Sequence, residues 1–77
     1  MTLYVLRPVK NWEPWYDKAF GFVVRAASED NARILVCASG RTGDEGIDAW
    51  LDSGRTTCVL LPQDGLPEVI MTDFASA

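Results

Sequence analysis

Carboxylates, two thiols and three indoles are the groups in this 77-residue chain whose chemistry goes beyond packing. The carboxylates concentrate in one place: Asp44, Glu45, Asp48 and Asp52 put four acids and no base into nine residues. Such a run can hold a cation, meet Lys or Arg of a partner, or be a solvated face. It lacks the D-x-D-x-D-G spacing of a calcium loop, and no histidine is present to complete a site, so neither a metal nor another cofactor is expected. The missing histidine also removes the commonest general base and the usual Ser-His and Cys-His nucleophile pairs. Cys37 and Cys58 alone cannot build a zinc site. No carboxylate sits in an evidently apolar stretch that would raise its pKa. No catalytic residue is assigned, and the expectation is a protein without enzymatic activity.

The second unusual stretch is aromatic. Trp12, Trp15 and Tyr16 surround Pro14 in a connection that should be surface loop. Either the rings fold back and cap a small core, or they form a binding surface, since Trp and Tyr dominate interface hot spots. Gly40, Gly43 and Gly46 follow neither the Walker nor the dinucleotide pattern, and a flexible loop is the expectation there.

These groups must be positioned by a small scaffold. A chain of this length is one domain, residues 1–77, and buries only about 60–65% of its unfolded surface. Residues 19–27 form the central predicted strand, with Phe20, Phe22, Val24 and Ala26 on an apolar face. Residues 28–38 form the main helix. Ser28 suits an N-cap, Glu29 and Asp30 suit the first turn, and Gly40 suits the stop. Ala32, Leu35, Val36 and Ser39 make its expected buried stripe. Residues 2–9 read as a first strand that Pro8 ends or places at an edge. Residues 47–52 read as a short helical turn, with Ile47, Trp50 and Leu51 inward and Asp44, Asp48 and Asp52 outward. Residues 57–61 and 68–74 read as two more strands, separated by Asp64-Gly65 between two prolines. The predicted fold is α+β: an antiparallel sheet of about four strands (β-β-α-β-β), the main helix on one face and a short second helix. Phe20, Phe22, Val24, Leu35, Val36, Val59 and Ile70 are its expected core.

Seven bases against eleven acids give a net charge of −4, which argues against direct nucleic-acid binding and favours a basic protein partner. No apolar run is long enough for a membrane span, and no charged leader runs into an apolar stretch, so no membrane role and a cytoplasmic location are expected. Two cysteines are too few for a disulfide scaffold, and both are expected to be buried free thiols.

The series WYDKAFGFVVRA, a Ser-Glu-led helix, GDEG, AWLD and TTC resembles a pattern of small bacterial and phage-type proteins of unassigned function. In size, acidity and strand order the chain is also similar to small phage-encoded inhibitors of bacterial defence, including some anti-CRISPR proteins. The resemblance implies an inhibitor that occupies a basic groove of a nucleic-acid-handling complex, and it carries over no functional residue. From the residues themselves, the expectation is a protein–protein interaction module with Trp12, Trp15, Tyr16, Asp44, Glu45, Asp48 and Asp52 as contacts. The alternative is a small regulatory or ligand-binding domain that uses the aromatic loop as a pocket wall.

Overall fold

The strand that opens the chain becomes the middle of the sheet. In the computed structural model, which describes residues 1–73, β1 (Thr2–Pro8) pairs antiparallel with both β2 (Phe22–Ala26) and β3 (Thr56–Leu61). The order is β2-β1-β3. Pro8 ends β1, as its missing amide donor requires. Between β2 and β3 run α1 (Glu29–Ala38) and the short α2 (Ile47–Leu51). The architecture is thus α+β with a three-stranded antiparallel sheet and two helices.

Strand alternation separates the two faces. Registers such as Leu6↔Phe22 and Leu6↔Cys58 put Tyr4, Leu6, Phe22, Val24, Ala26 and Cys58 on the helix side. There they join Ala32, Val36, Ala49 and Trp50 in one core. Trp50 is its largest member and is fully buried. Its ring meets Phe22 edge-on at 4.9 Å and Trp12 at 6.2 Å, both within the range of favourable edge-to-face pairs. Of the apolar face predicted for the second strand, Phe22, Val24 and Ala26 therefore point inward, whereas residues 19–21 precede the strand and Phe20 lines a groove with Arg7 and Ile70.

The predicted fourth strand is not formed. Residues 62–73 have no regular structure, and position 74 lies outside the described residues. Pro62 and Pro67 lack amide donors, and the Ile70 carbonyl accepts from the Arg7 guanidinium instead of a neighbouring strand. Arg7 alternates with Leu6 and so belongs to the outer face, where this segment runs. A Cβ added at Gly21 would come within 2.7 Å of the Met71 methyl carbon, so Met71 lies directly on that backbone. On this face Val5 is buried, but Ile70 is exposed and is not core.

α1 starts and stops where its sequence says. The extended Ser28 accepts from Asn31 N through its hydroxyl (3.2 Å), and Gly40 takes a left-handed φ of 71° just past the end. Its rotation differs from expectation. The buried residues are Ala32, Arg33 and Val36, and Leu35 is 49% exposed. Arg33 points inward, where its guanidinium donates to the carbonyls of Trp50 and Thr56, and that turns Leu35 toward solvent. Likewise Ala49 and Trp50 are the inward residues of α2, with Ile47 and Leu51 half out. Val59 alternates onto the outer face and is also exposed. Of the predicted core, Val36 is fully buried, and Phe22 and Val24 pack against the buried cluster. Phe20 is half-buried.

Val36→Ala should destabilise by about 1.5–3 kcal/mol, because it empties space that neighbours cannot refill. Leu35→Ala should stay within about 0.5 kcal/mol. Urea melts of the two variants check this, and the reverse ranking would mean that the helix is rotated the other way.

Candidate functional site

The aromatic loop and the acidic run meet, but neither is uniform. Trp12 turns inward: it packs on the core cluster, and its indole N–H donates to Ala19 O at 2.6 Å. Arg55 lies over its ring at 6.0 Å. Trp12 is thus a lid on the core. Trp15 and Tyr16 are 47% and 57% exposed and stand edge to face at 5.9 Å. Asp17 follows them with a φ of 57°. This left-handed conformation is uncommon outside glycine, and Asp tolerates it better than most. The bend reverses the chain immediately after the aromatic pair, and Lys18 covers the Tyr16 ring at 5.9 Å.

Glu45 also departs from its expected role. Its carboxylate is a bracket between the two loops, not part of the acidic surface. Oε1 accepts from Ala19 N and Gly43 N, each at 3.0 Å. Oε2 accepts from Gly43 N at 3.0 Å and from the Trp50 indole N–H at 2.7 Å. Beside it, Asp44 N donates to Asp17 O at 2.7 Å. Gly43 is needed for this approach: a Cβ there would collide with Asp17 O and come within 2.8 Å of Lys18 Cα. The loop predicted to be flexible is where two backbones are clamped together. Burial pushes the Glu45 carboxyl up, but the hydrogen bonds from Trp50, Gly43 and Ala19 favour its charged form, and the net pKa lies below the ordinary glutamate value.

The remaining acids are exposed but scattered. Asp44 lies beside Asp17 through the backbone bond. Asp48 is on the first turn of α2, close enough to Cys37 for its charge to act on the thiol. Asp52 accepts from Gly54 N at 2.8 Å and shapes the turn into β3. The contiguous exposed group is therefore Trp15, Tyr16, Asp17 and Asp44. Asp17 escaped notice in the sequence because its only signal is tertiary.

Neither thiol is set up as a nucleophile. Burial, then Asp48, pushes the Cys37 pKa up against a smaller opposing effect of Arg33. Burial, then Glu29, does the same for Cys58. Both cysteines are free and half-buried. Among the described residues no cluster of His, Cys, Asp or Glu could hold a metal, and no helix is long and apolar enough to cross a membrane. Compared with known protein families, curated proteins and solved structures, the chain matches none.

Glu45→Gln should lower stability at pH 7 by about 1–3 kcal/mol, since an amide cannot accept all of these donors. A carboxyl with a depressed folded pKa stabilises above its unfolded pKa and loses that contribution as pH falls through the folded value. Wild type should therefore weaken from about pH 4.5 downward, and the variant should weaken less over the same range. Chemical denaturation across pH measures both. Equal stability at pH 7 with parallel acid limbs would remove Glu45 from this role.

Proposed function

We propose that this chain is a non-enzymatic protein–protein interaction module whose contact site is the Trp15–Tyr16 pair flanked by Asp17 and Asp44. The observation that carries the reading is the Asp44 N to Asp17 O bond, which ties an exposed aromatic pair to exposed acids. Large amphipathic rings give contact area at low entropic cost, and acids at the rim steer a basic partner. The glutamate bracket beneath holds the loop before any partner arrives, which lowers the ordering cost of binding. The net charge of −4 favours a partner with a basic surface over direct contact with nucleic acid, and the location proposed for this encounter is the cytoplasm. In its sharpest form the partner is a nucleic-acid-handling complex of a bacterial defence system, and the chain is a phage-type inhibitor seated in its basic groove.

A second reading has one observation in its favour. Trp15 also lines an open groove of about 580 Å³ with Arg7, Asn11 and Phe20, which suits a small regulatory ligand.

Immobilised wild type should capture a partner from bacterial lysate. Trp15→Ala and Tyr16→Ala should each release that partner about tenfold faster with unchanged melting. Asp17→Asn with Asp44→Asn should slow association mainly at low salt. A partner held equally well by all variants would overturn the proposed site. Stabilisation by a small metabolite with no protein captured would favour the groove.

A further inference from the structure

The segment after β3 lies on the sheet without joining it. Residues 62–68 bound a groove with Leu3 and Arg25, and residues 69–73 bound another with Arg7, Trp15 and Phe20. The segment thus runs along the outer face from one end of β1 to the other. Val5 lies between those ends on the same face and is buried, whereas Val23 and Val59, which flank it in the sheet, are exposed. Two contacts seat the segment. The Arg7 guanidinium donates to Ile70 O, and the Met71 methyl lies against Gly21. Little else holds it. Residues 66–73 have no regular structure, and the bond to Ile70 is their one hydrogen bond to the rest of the described chain. Leu66 and Val69 are 88% and 80% exposed, so the segment buries few of its apolar side chains. A piece with so few buried contacts opens at a small fraction of the cost of global unfolding.

We infer that residues 66–73 are a releasable strap seated in a peptide-binding groove of their own fold. The strap shows what the groove takes: an extended peptide with a free main-chain carbonyl for Arg7 and, at the next residue, a long unbranched apolar side chain for Gly21. Without a Cβ, Gly21 offers a flat seat, and a flexible thioether adapts to it. Any main-chain carbonyl satisfies Arg7, so affinity comes from the backbone and selectivity from the seat. Closed, the strap is an autoinhibitory contact. Open, it leaves Arg7, Phe20 and Gly21 to a peptide from elsewhere. Trp15 lines the same groove, but the strap works whether or not the aromatic pair has a partner. Tethered and free peptides compete for one seat. A short tether supplies the strap at an effective concentration of about 1 mM. With an open form populated at about 10%, the same sequence offered free has a dissociation constant of about 0.1 mM for the open groove and about 1 mM for wild type.

The probe is a synthetic peptide of residues 66–73, titrated to about 2 mM into the full chain and followed by the NMR signals of Val5 and Phe20. Met71→Ser in the chain removes the anchor of the strap. That variant should bind the peptide about tenfold more tightly than wild type, and its melting temperature should fall by no more than about 10 °C. The same peptide carrying Met71→Ser should bind neither chain. Adding Arg7→Gln to the Met71→Ser chain should weaken the wild-type peptide about tenfold, by removing the carbonyl donor. Adding Gly21→Ala instead should block the seat and weaken it as much. A thermal melt checks that each double variant folds. Equal affinity of wild type and Met71→Ser overturns the proposal, since strap and peptide would then not compete. So does a peptide that binds neither chain, or one whose binding survives both Arg7→Gln and Gly21→Ala. A Met71→Ser chain that no longer folds overturns it as well, because the segment would then be part of the core.

Discussion

One buried guanidinium ties the layers together. Arg33 Nη1 donates to Trp50 O at 2.8 Å and to Thr56 Oγ1 at 2.9 Å, and Nη2 donates to Thr56 O at 3.0 Å. Thr56 Oγ1 in turn donates to Ala49 O at 2.8 Å. The nearest carboxylate is Glu29, 3.6 Å from Nε and one turn back on the same helix. Taking a cation out of water is costly, and here the return comes mostly from carbonyls at the end of α2 and the start of β3. Trp50 O is one of the groups a five-residue helix leaves without an intrahelical partner at its C-terminus. The planar fork of Arg suits several acceptors at once, and an ammonium does not. No buried side-chain polar atom among the described residues lacks a partner.

Much of the remaining structure follows from that placement. With Arg33 inward, the buried face of α1 passes through small Ala32 and through Val36, and α2 is held where Trp50 enters the core. Trp50 then presents its N–H to Glu45, and Glu45 fixes the loops that carry Trp15 and Tyr16. Glu45, the bracket beneath the proposed contact site, is thus two hydrogen-bonded steps from the guanidinium.

Local signals in the sequence were sound. The Ser28 cap, the Gly40 stop, the inward face of β2, the short helix over residues 47–52 and the β-branched run at 57–61 all depend on neighbours a few positions away. What stayed hidden depends on distant partners. Hydrophobic spacing favoured Leu35 over Arg33, because an arginine that satisfies remote carbonyls looks like any surface charge. Glu45 looked like one more acid in a run, and only the fold brings Ala19 and Trp50 to it. Residues 68–74 alternate like a strand, but Arg7 takes the Ile70 carbonyl and Met71 packs on Gly21, so the described part of this segment lies against the sheet instead of pairing along its edge. The aromatic loop was legible as unusual, with lid and surface left open, and the structure divides it: Trp12 is lid, Trp15 and Tyr16 are surface.

The most direct test is the stability of Arg33→Met in a denaturant melt, with Arg33→Lys beside it. Methionine fills similar space and leaves the carbonyls of Trp50 and Thr56 without a donor, and lysine keeps the charge but not the fork. Both variants should lose about 3–5 kcal/mol, enough to unfold a domain this small or leave it marginal. A methionine variant as stable as wild type would contradict the account, because the guanidinium would then be a passenger in a fold held by its apolar core alone.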